Sequence, residues 1–149
     1  MTIRQGLTTS FKEQILKGVH DLETDSLYIS LYTALASLDE TTAIYTTVNE
    51  ITGTGYVAGG ELLTNVTVKS LDGVAYVSFS NPTWSPASFT AGGALIYNST
   101  KGNKSIAVLD FGSTKTMSPA FVITLPPDEA SSAVNSNFVS NQFNKVKHL

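Results

Sequence analysis

The stretch LLTNVTVKSLDGVAYVSF, residues 62–79, indicates the fold class more directly than any other part of the sequence. Residues 62–69 and 74–79 are runs in which successive positions alternate, and such alternation is typical of strands with one buried face. Between them stands Asp72-Gly73, a pair suited to a tight hairpin turn because both of its positions require positive φ. The stretch therefore predicts an antiparallel β-hairpin.

Further short strands are predicted along the chain, at residues 27–32, 44–51, 94–97, 106–111 and 121–125, with a loop at 34–43 and a turn at 101–103. About seven or eight short strands separated by turn residues predict an all-β domain, an antiparallel β-sandwich or jelly roll. Alternation within the strands predicts these buried side chains: Leu27, Ile29, Leu31, Val66, Val68, Val77, Phe79, Leu95, Ile106, Val108, Phe121 and Ile123.

One helix is predicted near the N-terminus, over residues 9–20. Ser10 and Glu13 have the spacing of a capping box, in which each side chain accepts from a free backbone N–H of the first turn. An apolar stripe follows, which predicts that the helix covers one surface of the sandwich; its members are Phe11, Ile15, Leu16 and Val19. Gly18 indicates the end of the helix.

Pro126-Pro127 separates a predicted domain, residues 1–127, from a C-terminal arm, residues 128–149. The arm is rich in Ser and Asn and has no strand alternation, so it is predicted to extend from the domain. We expect it to dock on a neighbouring subunit, with a disordered tail as the alternative. Its predicted partner-binding residues are two aromatic rings, one aliphatic side chain and two cations: Phe138, Phe143, Val146, Lys145 and Lys147.

Charge and cysteine content exclude several classes of function. Charged residues make up 14% of the chain, the net charge is −3, and there is no cysteine. The scattered cations form no basic stripe, so nucleic-acid binding is not expected. No apolar run resembles a signal peptide or a membrane span, and the protein is expected to be made in a cytoplasm. The 17 Ser and 19 Thr give a hydroxyl-rich surface that repels neighbouring proteins weakly.

Candidate chemical motifs each have a simpler structural interpretation. Residues 20–25, HDLETD, could bind a metal, but a helix end followed by an acidic turn explains them as well. Asp128-Glu129 is interpreted as a hinge, and the glycines of 53–60 and 92–93 as bulges or turns. Trp84 with Tyr32, Tyr45, Tyr56, Tyr76 and Tyr97 could line a sugar-binding groove, although core packing is the more common use of such residues. The sequence predicts no catalytic residue, no cofactor and no metal.

Several strings resemble a family of small virion proteins of tailed bacteriophages. They are MTIRQGLTTSFK at 1–12, LYT at 31–33, GTGYVAGGELLT at 53–64, FTAGGALIYN at 89–98 and AVLDFG at 107–112, together with Phe79 and Trp84. The resemblance covers residues 1–127, and the arm departs from it. It implies a structural part of the virion, a protein made in the host cytoplasm.

The expected function is that of a capsid cement or decoration protein that clamps neighbouring major capsid subunits without enzymatic activity. The expected partners are the major capsid protein, copies of itself, or both, which would make it a homo-oligomer on the particle; neither nucleic acid nor membrane is expected as a partner. A tail, collar or fibre-attachment component is the alternative, and so is a carbohydrate-binding module displayed on the particle.

Overall fold

A computed structural model describes residues 2–117, 120–124, 134–135 and 147–148. The elements are β1 (Gly6–Leu7), α1 (Thr9–Leu16), β2 (Leu27–Tyr32), β3 (Glu61–Leu62), β4 (Thr67–Leu71), β5 (Val74–Ser78), β6 (Thr83–Trp84), β7 (Phe89–Asn98), β8 (Lys104–Met117), β9 (Phe121–Thr124), β10 (Val134–Asn135) and β11 (Lys147–His148). Strands outnumber helices, and all of their pairings are antiparallel. The predicted all-β class with one short N-terminal helix is confirmed.

The strands form one larger sheet and two smaller ones. The five-stranded sheet has the order β1-β8-β7-β2-β3, and the three-stranded sheets have the orders β10-β5-β4 and β11-β9-β6. One face of the large sheet shares a core with residues of both small sheets, which is the layered packing of a sandwich. Ile29 and Ile96 lie in this core from the large sheet, and Val77, Trp84 and Phe121 lie in it from the small sheets.

The second face of the large sheet is also buried, which the sequence did not predict. Tyr32, Leu95 and Val108 pack there against Ala36 and Leu38 from the loop that follows β2. The loop therefore acts as a third layer. This explains why the central strands β2 and β7 are buried on both faces and do not alternate cleanly between buried and exposed positions.

The hairpin predicted at residues 62–79 is present over 67–78, with β4 paired to β5 in the register Val68↔Val77 and Leu71↔Val74, whereas residues 63–66 of the predicted first strand form no strand. Asp72 and Gly73 have φ of 52° and 81°, as their turn requires. The burial prediction holds for this region at Val77 and Phe79, but Val66 is only half-buried and Val68 is 47% exposed. All five residues of β4 are exposed, so this strand contributes no buried side chain to the core.

One strand prediction is wrong, and two others are confirmed with longer bounds. Residues 44–51 form no strand; they make isolated bridges only, such as Ile44 to Lys104 and Tyr32 to Glu50. The strand predicted at 94–97 begins instead at Phe89, and that predicted at 106–111 extends over Lys104–Met117. Glycines 92–93 lie inside β7, where the register shifts between Ala91 and Gly93. This β-bulge agrees with the bulge interpretation of those glycines.

The helix is shorter than predicted and is capped by a different residue. The N-cap is Thr8, whose hydroxyl accepts from the Phe11 N–H, so the predicted capping box of Ser10 and Glu13 is wrong. Glu13 instead accepts from Lys17 at 2.9 Å across one helical turn. Thr8 is fixed in place because its hydroxyl also lies 2.9 Å from the Ser105 hydroxyl in the buried end of β8.

Candidate partner-binding groove

An apolar groove separates helix α1 from the β4–β5 hairpin. It has a volume of about 740 Å³. Phe11, Val77 and Ile106 form its buried floor, and Ile15 and Val68 stand on opposite rims.

The apolar stripe of α1 faces this groove and solvent. Only Phe11 of the predicted stripe is buried; Ile15 is 42% exposed and Leu16 is 88% exposed. The prediction that the whole stripe covers the sandwich is therefore wrong. Together with the groove, Ile15 and Leu16 form a contiguous apolar surface, and surfaces of this kind often mark sites that bind other proteins.

Most of the polar residues of the groove lie in the turn that follows α1. Asp21 and Glu23 stand at the rim there, and Lys12 of the helix also lines the groove. His20 borders it from below and is buried. The groove thus combines an apolar floor with a charged margin, the usual layout of a protein-binding site.

His20 belongs to a buried hydrogen-bonded cluster. Its Nε2 lies 2.8 Å from Gln14 Oε1, and its Nδ1 lies 3.0 Å from the amide nitrogen of Asn98. Because the Asn98 amide is a donor, His20 Nδ1 accepts and Nε2 carries the proton, which is the neutral tautomer. Burial lowers the pKa of His20, and Lys104 and Lys101 lower it further against the opposing effect of Asp25.

Asp25 completes this cluster from the other side of Asn98. The Asn98 amide donates to Asp25 Oδ2 at 2.8 Å, and Lys101 Nζ lies 3.8 Å from Oδ1. Burial alone would raise the pKa of Asp25, but the hydrogen bonds from Asn98 and the Asp21 backbone, with nearby Lys101 and His20, hold it below its ordinary value. Asn98 is fully buried between its two partners.

This arrangement bears on the metal site considered for residues 20–25. Asn98 stands between His20 and Asp25 and satisfies both, so neither is oriented toward a shared ion. Within the described residues no three His, Asp or Glu side chains are grouped closely enough to hold a metal. The helix-end interpretation of the segment therefore fits the geometry.

The aromatic residues considered for sugar binding lie elsewhere. Trp84 is 1% exposed and packs edge-on against Phe89 and Phe121 in the main core. Tyr32 is also fully buried. Because a sugar ring can stack only on an accessible aromatic face, neither Trp84 nor Tyr32 can line a carbohydrate groove.

Two of the remaining tyrosines, Tyr45 and Tyr56, anchor the loop before β3 by hydrogen bonds to Glu50. Tyr45 donates to one oxygen of that carboxylate at 2.6 Å, and Tyr56 donates to the other. The Gly59 N–H donates to the second oxygen at 2.8 Å, and Tyr97 donates to Gly59 O at 2.7 Å. Burial raises the pKa of Tyr97 to about 12, and burial with the Glu50 hydrogen bond raises that of Tyr56 further.

The glycines of residues 53–60 serve backbone geometry, as their turn interpretation anticipated. Gly60 has φ of +84°, and a Cβ there would stand 1.9 Å from the Ile29 carbonyl oxygen. Gly55 has φ of +89°, and a Cβ there would stand 1.9 Å from Pro86 O. Only glycine permits these close approaches.

Of the five predicted partner-binding residues of the arm, the structure describes only Lys147. Phe138, Phe143, Lys145 and Val146 lie outside the described residues, as does the predicted hinge at 128–129. Lys147 lies in β11, where its backbone pairs with Thr124 of β9. The other described part of the arm, β10, pairs with Tyr76 and Val77 of β5.

No protein-family model, no curated protein and no solved structure matches this chain. Over the part of the chain that the structure describes, no helix has the length and apolarity needed to span a membrane. The groove was missed from the sequence because the helical stripe was assigned to the core. One feature of the sequence could have indicated the groove. The strand β4 has polar residues at most positions, so it offers little apolar surface for the helical stripe to cover.

Proposed function

We propose that this chain is a non-enzymatic structural protein of a tailed-phage particle, a capsid cement or decoration protein that clamps neighbouring major capsid subunits. The observation that carries the proposal is the open groove beside α1, with Leu16 and Ile15 exposed at its rim. Such a surface fits a protein whose task is to bind other proteins. The assignment to a virion rests on the sequence resemblance.

The chain's low charge supports the same proposal. With 14% charged residues and a net charge of −3, the protein can pack densely against copies of itself and against a shell with little repulsion. A clamp also has to be rigid. Burial of the large sheet on both faces supplies that rigidity near the groove.

The C-terminal arm supplies a second contact in this proposal. Phe138, Phe143 and Val146 are spaced as apolar anchors, with Lys145 and Lys147 near the tip. Burying one Phe contributes roughly 1.5–3 kcal/mol, so two or three anchors offset an ordering cost of a few kcal/mol. The arm would then bind the neighbouring subunit while the groove side of the domain faces the shell.

A tail, collar or fibre-attachment component would use the same surfaces at another place on the particle. The carbohydrate-binding alternative loses its proposed residues, because Trp84 and Tyr32 are buried. We therefore retain the cement function as the conclusion and treat the position on the particle as the question for experiment.

The experiment is a side-chain-resolution map of gradient-purified particles, with mass spectrometry to confirm the chain. The expected result is density for the domain over the junctions of major capsid subunits, with the α1 groove filled by a neighbour. Density only on the tail would replace cement by the tail alternative. Absence of the chain from purified particles would contradict a structural role.

The arm is tested separately by binding of the purified protein to empty shells. Truncation after Pro127 also removes β10 and β11, so a Phe138→Ala/Phe143→Ala variant is the sharper test. Ser136→Ala/Ser140→Ala in the same segment is the matched control. We expect at least about a tenfold loss of affinity for the double Phe variant alone. Equal affinity for both variants and the unaltered protein would exclude the arm as an anchor.

A further inference from the structure

Strand β4 is the exposed edge of its sheet. The order β10-β5-β4 leaves it with one neighbour among the described strands, and all five of its residues are exposed. In an antiparallel pair, backbone groups point alternately toward the partner strand and away from it. The two-residue turn at 72–73 sets this alternation, so the N–H and C=O groups of Val68 and Ser70 point outward, where another strand could pair with them.

One of these outward groups is already occupied. The Val68 N–H donates to Glu23 Oε2 at 3.1 Å, across 45 residues of sequence. Glu23 therefore places a carboxylate oxygen where the carbonyl oxygen of an incoming strand would have to lie. Covering an edge strand with a loop, and placing charge beside it, are means by which natural sheets keep their edges from pairing.

Glu23 is held at this edge by a well-connected turn. Its own N–H donates to Asp21 Oδ1 at 3.3 Å, and the Asp21 N–H donates to Asp25 Oδ2 at 3.0 Å. Asp25 in turn accepts from the fully buried Asn98 at 2.8 Å. A chain of hydrogen bonds thus connects the core of the large sheet to the carboxylate that closes β4.

We propose that Glu23 is an edge guard, which keeps β4 of the free protein from pairing with β4 of a second copy of this chain. This inference is independent of the virion assignment, because it concerns the purified protein alone. β4 can therefore pair with a second copy only when the Glu23 carboxylate moves away from the Val68 N–H.

A second copy fits this edge because the strand is complementary to itself. Antiparallel pairing centred on Val68 would place Val68 opposite its own copy and Val66 opposite Ser70, so that outward donors meet outward acceptors. In this register Lys69, the one charged residue of β4, faces Thr67 of the second copy. Pairing centred on Lys69 would instead set two like charges opposite each other, which is unfavourable.

The test compares the self-association of purified full-length variants by analytical ultracentrifugation. Glu23→Ala removes the guard, and Glu13→Ala, at another exposed glutamate of the same region, is the charge-matched control. We expect Glu23→Ala to lower the dimer dissociation constant at least about tenfold, since two guarding contacts no longer have to be broken for each dimer. Glu13→Ala should behave as the unaltered protein does.

A second variant shows whether β4 is the surface that pairs. Proline is tolerated on an edge strand where its missing N–H would face outward, so Ser70→Pro can be combined with Glu23→Ala. The combined variant should return to the dissociation constant of the unaltered protein. The proposal is overturned if Glu23→Ala leaves self-association unchanged, or if the combined variant dimerises as strongly as Glu23→Ala does. Unchanged circular dichroism would confirm that each variant folds.

Discussion

Replacing Tyr56 by Phe tests the hydrogen-bond network that fixes the loop before β3. The Tyr56 hydroxyl donates to Glu50 and accepts from the Leu31 N–H at 3.0 Å. Leu31 is buried in the main core, so Tyr56→Phe leaves the backbone N–H of a buried residue without its acceptor. Glu50 loses less, because it keeps Tyr45 and the Gly59 N–H.

The magnitude follows from these two losses. An unsatisfied buried N–H costs about 1–3 kcal/mol, and the lost bond to a half-exposed carboxylate adds on the order of 1 kcal/mol. We expect the free energy of unfolding to fall by about 2–3 kcal/mol. In a chain of this length that lowers the melting temperature by roughly 5–10 °C.

The assay is urea denaturation followed by circular dichroism, with Tyr28→Phe as the matched control. Tyr28 stacks on Tyr97 at 5.9 Å through its ring, and its hydroxyl makes no hydrogen bond among the described residues. Tyr28→Phe should therefore change stability by less than about 0.5 kcal/mol. If Tyr56→Phe matched this control, the network would not stabilise the fold in the way described.

Three further outcomes are expected. Burial lowers the pKa of His20 below its ordinary value of 6.5, so as the pH falls the unfolded chain binds a proton before the folded protein does. The free energy of unfolding should therefore fall as the pH drops below about 6.5. Denaturation at several pH values should show a weaker pH dependence for His20→Gln. Gly60→Ala should prevent folding or lower the free energy of unfolding by at least about 4 kcal/mol. The new Cβ of Gly102→Ala meets only the end of a lysine side chain, so that variant should lower it by about 1 kcal/mol. Thermal melts would show the difference. Burial raises the pKa of Tyr32 and Tyr97 to about 12, so a titration followed by absorbance should show that both ionise well above pH 10. The free energy of unfolding should fall between pH 10 and about 12, because the unfolded chain loses these protons first. Ionisation of all six tyrosines near pH 10 with the fold intact would contradict this.

The sequence predicted the local features of the fold well because they depend on local chemistry. Alternation at 27–32 and the Asp72-Gly73 turn each specify a conformation through neighbouring residues alone. The prediction of the helix N-cap was wrong, and the reason lies outside the local sequence. Thr8, and not Ser10, is the N-cap, and its hydroxyl lies 2.9 Å from that of Ser105, a contact with a residue far along the chain that no local pattern encodes.

The candidate site was not predictable for a similar reason. Whether Leu16 covers a core or faces solvent depends on the distance between α1 and the hairpin, which no local pattern encodes. The strand predicted at 44–51 failed because the loop is held by side chains, with Tyr45 and Tyr56 bound to Glu50, and not by a backbone ladder. Residues with strand propensity became a loop that covers the second face of the sheet.

The central claim is that the groove beside α1 binds a neighbouring protein of the particle, and binding of purified protein to empty capsid shells tests it most directly. Leu16→Glu places a charge at the rim of the groove, and Leu35→Glu makes the same change at a leucine that is 63% exposed in the loop after β2. Both variants should fold, because both leucines are exposed. We expect Leu16→Glu to weaken shell binding at least about tenfold and Leu35→Glu to leave it unchanged. Equal shell binding by Leu16→Glu and the unaltered protein would contradict the claim.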